Sequence, residues 1–201
     1  IAQASSPLEV SRPQPLWSEQ NPADWWQATN MAMQELGQTN SADLKAVKAI
    51  GLSGQMHGAT LLDANNSIIR PAILWNDGRS EEQCKTLEAN EPNSRTITGN
   101  IAMPGFTAPK LIWVKEHEPD NFAKLAKVLL PKDYLRFLMT GDFAADMSDS
   151  AGTLWLDVEK RQWSQNMLQA SGLTEAHMPT LFEGTQVTGN LSSDIAKQWG
   201  M

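Results

Sequence analysis

The spacing of apolar residues along the chain switches repeatedly between helical and extended periods. Trp25, Ala28, Ala32 and Leu36 recur at helical spacing behind Asn21-Pro22. Asn supplies an N-cap, Pro suits the first helical position, Asp24 favours the first turn, and Gly37 predicts the end. Upstream, Ile1 to Val10 reads as extended, and Ser11-Arg12-Pro13-Gln14-Pro15 interrupts any ladder because proline lacks an N–H donor. The run Val47-Lys48-Ala49-Ile50-Gly51-Leu52-Ser53 has the length and apolar character of a short buried strand. Thr60–Asp63 and Ile68–Arg70 flank Ala64-Asn65-Asn66-Ser67, which predicts a hairpin closed by Asn-rich turn chemistry.

Further on, Ala72–Trp75 predicts another strand, and Asn76-Asp77-Gly78-Arg79 a turn opening a charged helix from about Ser80 to Ala89. Thr107, Lys110, Leu111, Val114 and Glu118 share one helix face. Val128-Leu129-Leu130 predicts a strand, and Pro131 starts a helix through Tyr134, Leu135 and Leu138 that Gly141 closes. Asp146 to Asp157 reads as a polar loop or strand. Trp163, Met167 and Leu168 mark a further helix stopped near Gly172, and a helix-like pattern spans the last residues from Ile195. Strands alternating with helices predict α/β layering rather than a bundle or an all-β sandwich.

Two hundred and one residues suffice for one substantial core. A hydrophobic content of 41% excludes general disorder, and a net charge of −7 argues against a nucleic-acid or anionic-membrane surface. No apolar run approaches the length of a membrane span, and no leader pattern is visible. A single cysteine, Cys84, excludes an internal disulfide and fits a cytoplasmic setting. It has no basic neighbour at local spacing, so it reads as an inert thiol. Oligomeric state is not legible, and a homodimer stays among the options.

Several residues could carry chemistry. The Gly54-Gln55-Met56-His57-Gly58 loop directly follows a predicted strand, where open α/β sheets place their ligands. Its glycines admit a close backbone approach, and His57 offers a donor and an acceptor suited to a hydroxyl. The competing reading, in which His57 satisfies backbone groups at a tight turn, ranks level on the residues alone. Trp75 is assigned to the core, its alternative being an apolar wall for a sugar ring, and Asp77 with Arg79 to a helix-start ion pair. Lys110, on an apolar face, is read as a snorkelling side chain rather than a phosphate ligand. Asp146, Asp149 and Asp157 lack calcium-loop spacing, and no Cys/His cluster supports zinc. The eight tryptophans scatter over predicted elements and default to core or interface. No glycine-rich nucleotide fingerprint is present.

Taken in order, Pro15-Leu16-Trp17-Ser18-Glu19-Gln20, Asp24-Trp25-Trp26, Gly54–Gly58, Ala72–Arg79, Gly105–Val114, Pro131-Lys132-Asp133-Tyr134 and Asp146–Thr153 resemble the FGGY carbohydrate kinases over essentially the whole chain. Within that family, Gln-Met-His-Gly is similar to the bacterial branch that acts on xylulose, whereas glycerol kinases carry Arg-Glu at Met56 and His57.

The resemblance implies an actin-like ATPase, ribonuclease-H-like α/β domain, with residues 1–201 forming the sugar-binding N-terminal part of a two-domain kinase. It implies ATP-dependent, magnesium-assisted phosphorylation of D-xylulose to D-xylulose 5-phosphate. Met56 and His57 match the sugar-contacting pair, and Trp75 a sugar-wall position. The family's Asp-x-Gly-Thr hairpin is expected before Ile1, its catalytic-base aspartate after Met201, and its second domain beyond that, so no catalytic residue is expected within the chain. Phosphoryl transfer needs positioned phosphates, metal and base together, so the isolated chain is expected to show no turnover.

Overall fold

The computed structural model describes residues 2–201. A short strand β1 (Glu19–Gln20) leads into helix α1 (Pro22–Thr39), followed by α2 (Ser41–Ala46). The Asn21 side chain accepts from the Ala23 N–H at 3.2 Å, the cap expected from the sequence. Gly37 does not end α1. The helix continues two residues further, and the Asn40 N–H closes it on the Leu36 carbonyl at 2.7 Å. The expected extended opening includes Ile1, which lies outside the described residues. Residues 2–10 form no strand, and pairing begins with an antiparallel bridge from Ser11 to Glu19.

Strands β2 (Thr60–Leu62) and β3 (Ala72–Ile73) come next, then helices α3 (Glu81–Asn90), α4 (Ser94–Thr98), α5 (Thr107–His117) and α6 (Pro119–Phe122). The chain continues through β4 (Lys127–Leu129), α7 (Pro131–Thr140), β5 (Ala144–Asp146), α8 (Met147–Ala151), β6 (Leu156–Asp157), β7 (Gln162–Trp163) and α9 (Gln165–Ala170). A 3₁₀ turn, Glu175–His177, β8 (Thr180–Phe182) and α10 (Ser193–Trp199) complete it. The alternation predicted from the sequence is thus an α/β arrangement. The segment expected as a polar loop or strand between Asp146 and Asp157 divides into the end of β5, helix α8 and β6.

Four short strand pairs organise the layers. β1 and β3 pair antiparallel with Glu19 opposite Ile73, and β2 and β4 with Thr60 opposite Leu129. β5 and β8 run parallel, and β6 and β7 antiparallel. A bridge between Ala59 and Ile73 joins the first two pairs into one meander. The predicted hairpin forms: Asp63 accepts from the N–H groups of Asn65 and Ser67, and Asn66 takes the turn's positive φ of 63°.

The larger core gathers around α5. Leu111, Val114, Leu61, Ile73, Val128, Trp155 and Met167 are essentially removed from solvent within it. A second core, under α1 and α7, joins Trp25, Leu62, Leu74, Leu129 and Tyr134. Five tryptophans (Trp25, Trp113, Trp155, Trp163 and Trp199) are buried.

The strand expected at Val47–Ser53 is absent. The segment is extended and exposed, with Val47 at 41% and Ile50 at 42%. From Lys48 to Gln55 no backbone group bonds to another described residue. An apolar run becomes a strand only when a neighbouring backbone completes its ladder, and no described segment lies alongside this one.

Candidate functional site

The Gly54–Gly58 loop connects this unpaired segment to β2, and contacts from several elements hold it. A Cβ on Gly58 would stand 2.7 Å from Cγ of Pro131, and one on Gly54 3.2 Å from Cβ of Lys132, so both glycines press against the start of α7. Gln55 donates to Oε1 of Gln20 at 2.8 Å, and the same oxygen accepts from the Trp25 indole at 3.0 Å. The loop is thereby tied to β1 and α1. At its tip the Gly58 N–H donates to the Met56 carbonyl at 2.8 Å, closing a three-residue turn around His57.

His57 sits in the centre of that turn with φ of 63°, a left-handed conformation uncommon for a residue with a Cβ. Its carbonyl accepts from Lys110 Nζ at 2.9 Å and from Thr107 Oγ1 at 3.2 Å. Lys110 also donates to the Gly105 carbonyl at 2.7 Å and is wholly buried. The snorkelling role expected for Lys110 is therefore wrong. Its face of α5 is roofed by the Gly105 and His57 backbone, leaving no route to water, and the ammonium satisfies carbonyls instead. Burial pushes its pKa down to about 7; Asp77 opposes that shift and Arg79 adds to it.

The His57 ring meets Phe106 edge-on, with centroids 4.7 Å apart. It also lies directly against Gly152, where a Cβ would come within 2.7 Å of Nδ1. Nδ1 is enclosed without a hydrogen-bond partner, while the residue as a whole is only half-buried. Burial first, and the Lys110 charge second, lower the imidazole pKa, and the close Gly152 backbone and the Asp149 charge offset this in part, so the neutral form of the ring is favoured. A neutral imidazole retains both a donor and an acceptor. Met56, next to it, is 54% exposed.

Trp75 is 52% exposed, which overturns its assignment to the core. β3 ends at Ile73, two residues before Trp75, which lies outside the paired strand. The Trp75 carbonyl lies against Gly105, where a Cβ would stand 2.7 Å away, and Phe106 in turn touches His57. The Trp75 backbone is thus linked through Gly105 and Phe106 to the His57 ring, and Met56 is the exposed neighbour of His57 in the turn.

Asp77 and Arg79 do form the expected ion pair, at 2.7 Å, and it is fully buried. It extends into a network: Arg79 reaches Glu19 at 2.7 Å, and Arg70 links Glu19 and Glu118 at 2.6 and 2.9 Å. The Arg79 guanidinium also lies 3.6 Å above the Trp17 ring. These residues knit β1, β3 and α5 and are structural. Cys84 is buried, and burial followed by Glu81 and Glu88 pushes its thiol up to about 11, consistent with an inert role.

At the other end of the loop, Lys132 Nζ binds Asp133 at 2.9 Å and Asp146 and Asp149 at 2.8 Å each. An open cleft of about 560 Å³ runs past this cluster and is lined by Leu52, Gly54, Asp146, Asp149 and Gln186. Met56 and His57 are not on its wall; they sit beyond its Gly54 edge. Asp157 stands apart, paired with Lys160, so the three aspartates considered for a metal do not converge. Among the described residues no group of three His, Cys, Asp or Glu is arranged to hold a metal ion, and no helix is long and apolar enough to cross a membrane.

Sequence reasoning missed Lys110, Phe106 and Gly152 as supports of His57. A lysine placed among Leu111, Trp113 and Val114 was the available signal for the first. Nothing local links Gly152 to a residue 95 positions earlier.

Residues 1–201 match the family model described as the FGGY family of carbohydrate kinases, N-terminal domain. The chain is 61% identical over its full length to a xylulose kinase of Escherichia coli and 57% identical to one of Klebsiella pneumoniae, covering 41% of each. It superposes on a solved xyloylose kinase from Brucella ovis with a TM-score of 0.98 at 52% identity, again over all of this chain and 41% of that one. A glycerol kinase of Plasmodium falciparum shares the fold at 21% identity, with a TM-score of 0.86. The α/β fold is that of the actin-like sugar kinases, and the chain spans about two-fifths of the length of the relatives it matches.

Proposed function

We infer that this chain, which belongs to the FGGY family of carbohydrate kinases, is the sugar-facing part of an ATP-dependent xylulose kinase. The observation that carries this reading is the strained turn that holds the His57 imidazole half-open beside exposed Met56, linked through Phe106 and Gly105 to the backbone of exposed Trp75. A ketose needs what these groups offer. The imidazole can donate to one hydroxyl or accept from it, Met56 supplies a soft apolar contact, and the indole suits the C–H face of the sugar. Relatives at 61% and 57% identity are xylulose kinases, which supports D-xylulose as the acceptor and D-xylulose 5-phosphate as the product.

The chain's own residues contribute binding and orientation. The carboxylates nearest the loop are taken up by Lys132, and no described carboxylate stands free beside His57 as a general base. A magnesium ion would neutralise charge on the transferring phosphoryl group. The residues present do not form a cage for it, so the metal and nucleotide contacts are assigned to none of them. We expect the isolated chain to lack turnover and the family's catalytic aspartate to lie outside these residues. A cytoplasmic location and a possible homodimer complete the reading.

The test is steady-state kinetics on the full-length polypeptide that carries these residues, with xylulose, ribulose, gluconate and glycerol compared as acceptors. His57→Ala removes one hydrogen bond to a neutral partner, about 0.5–1.5 kcal/mol, and should raise the KM for xylulose accordingly while sparing that for ATP. Preference for an acceptor other than xylulose, or an unchanged xylulose KM in the variant, would remove the basis for this reading.

A further inference from the structure

A buried lysine is expensive unless it accomplishes something. Among the described residues Lys110 forms no ion pair, and it donates to the backbone carbonyls of His57 and Gly105. Both belong to the region that carries the sugar-binding groups: His57 itself, and the residue against which the Trp75 carbonyl packs.

The conformation it contacts is not self-sustaining. A left-handed φ of 63° at a histidine is disfavoured and needs surrounding structure to hold it. Thr107 Oγ1, one helical turn before Lys110 on α5, donates to the same His57 carbonyl at 3.2 Å. Two donors from one helix therefore fix the carbonyl, while Phe106 and Gly152 confine the ring. Gly105 and His57 are 48 positions apart, and Lys110 Nζ binds both carbonyls.

We propose that Lys110 is a positioning residue for sugar recognition, acting through the His57 and Gly105 carbonyls to hold the imidazole and the Trp75 edge at a fixed separation. It touches no substrate. The idea rests on the sugar-site reading above and extends it from the contacting side chains to the group that sets their geometry. The lysine's burial supports it: an ammonium shielded from water spends its donors on those carbonyls rather than on solvent.

The experiment uses the full-length polypeptide carrying these residues, with Lys110→Met, Thr107→Val, His57→Ala and the Lys110→Met/His57→Ala double variant, assayed with D-xylulose and ATP. Lys110→Met should raise the xylulose KM by about as much as His57→Ala does, roughly twofold to tenfold, with the ATP KM unchanged. Thr107→Val, which leaves the lysine in place, should give a smaller rise in the same direction. In the His57→Ala background Lys110→Met should add less than it does alone, because the group it positions is already gone.

A lysine that merely supports the fold would lower stability and active fraction without separating the two KM values. An unchanged xylulose KM in Lys110→Met, or an undiminished effect in the His57→Ala background, overturns the proposal. Should Lys110→Met fail to fold, an unchanged xylulose KM in Thr107→Val overturns it alone. Failure of the parent reading looks different: His57→Ala itself then leaves xylulose use intact.

Discussion

A buried lysine and a partly buried one brace the Met56–His57 loop from opposite ends, and their surroundings push them in opposite directions. Lys110 supports the His57 end through neutral carbonyls, and Lys132 packs under Gly54 with its ammonium among three carboxylates. Burial disfavours the charge on both. At Lys110 it prevails, and the pKa falls to about 7. At Lys132 it is outweighed, chiefly by Asp133 and Asp149, and the pKa is held above the ordinary lysine value. Carboxylate partners can outweigh the cost of shielding an amine and keep it protonated, while neutral carbonyls do not. One end of the loop is consequently an ion cluster that locks α7 to β5 and α8, and the other a hydrogen-bonded clasp of adjustable charge.

The largest way to break this contrast is Lys132→Met. It leaves Asp133, Asp146 and Asp149 facing one another with Arg136 as the remaining cation on Asp133, and should cost about 3–5 kcal/mol in denaturant unfolding. Lys110→Met strands two buried carbonyls without stranding a charge, so its cost should be smaller, about 1–3 kcal/mol. The pH dependence sharpens the difference further. The folded Lys110 releases its proton near pH 7 and the unfolded one near its ordinary value, so the unfolded chain binds more protons between the two. Stability should therefore rise with pH through that window, by at most about 1.4 kcal/mol per pH unit, and the contribution is lost as pH falls through the folded value. Melting temperatures from pH 6 to 10 should show the increment in the parent chain and not in Lys110→Met. The smallest effect belongs to an exposed lysine: Lys85→Ala breaks a surface pair with Glu82 and should leave the unfolding midpoint unmoved.

The same contrast explains what the sequence could and could not reveal. Features governed by neighbours in the chain were legible: the Asn21 cap, the Asn65-Asn66 turn, the Pro131 helix start and the Gly141 stop all formed as expected. The Gly54–Gly58 loop was singled out because glycines and a histidine follow an apolar run, although that run does not form the expected strand. What failed depended on residues far away. Val47–Ser53 had the composition of a strand but found no partner, Trp75 lost the cover a core residue needs, and Lys110 met a backbone roof 53 positions distant. The Arg70–Glu19–Arg79 network likewise spans separations of 51 and 60 residues, beyond any local periodicity.

On the sugar-site reading proposed above, the positive φ at His57 bears on any redesign of sugar preference. A Cβ-branched replacement there has to abandon the backbone shape before it can offer a new surface, whereas glycine or asparagine can inherit that shape. Randomising Met56, whose side chain already projects into solvent, leaves the backbone untouched. Libraries aimed at other polyols should therefore vary the methionine freely and hold the histidine position to a narrow alphabet.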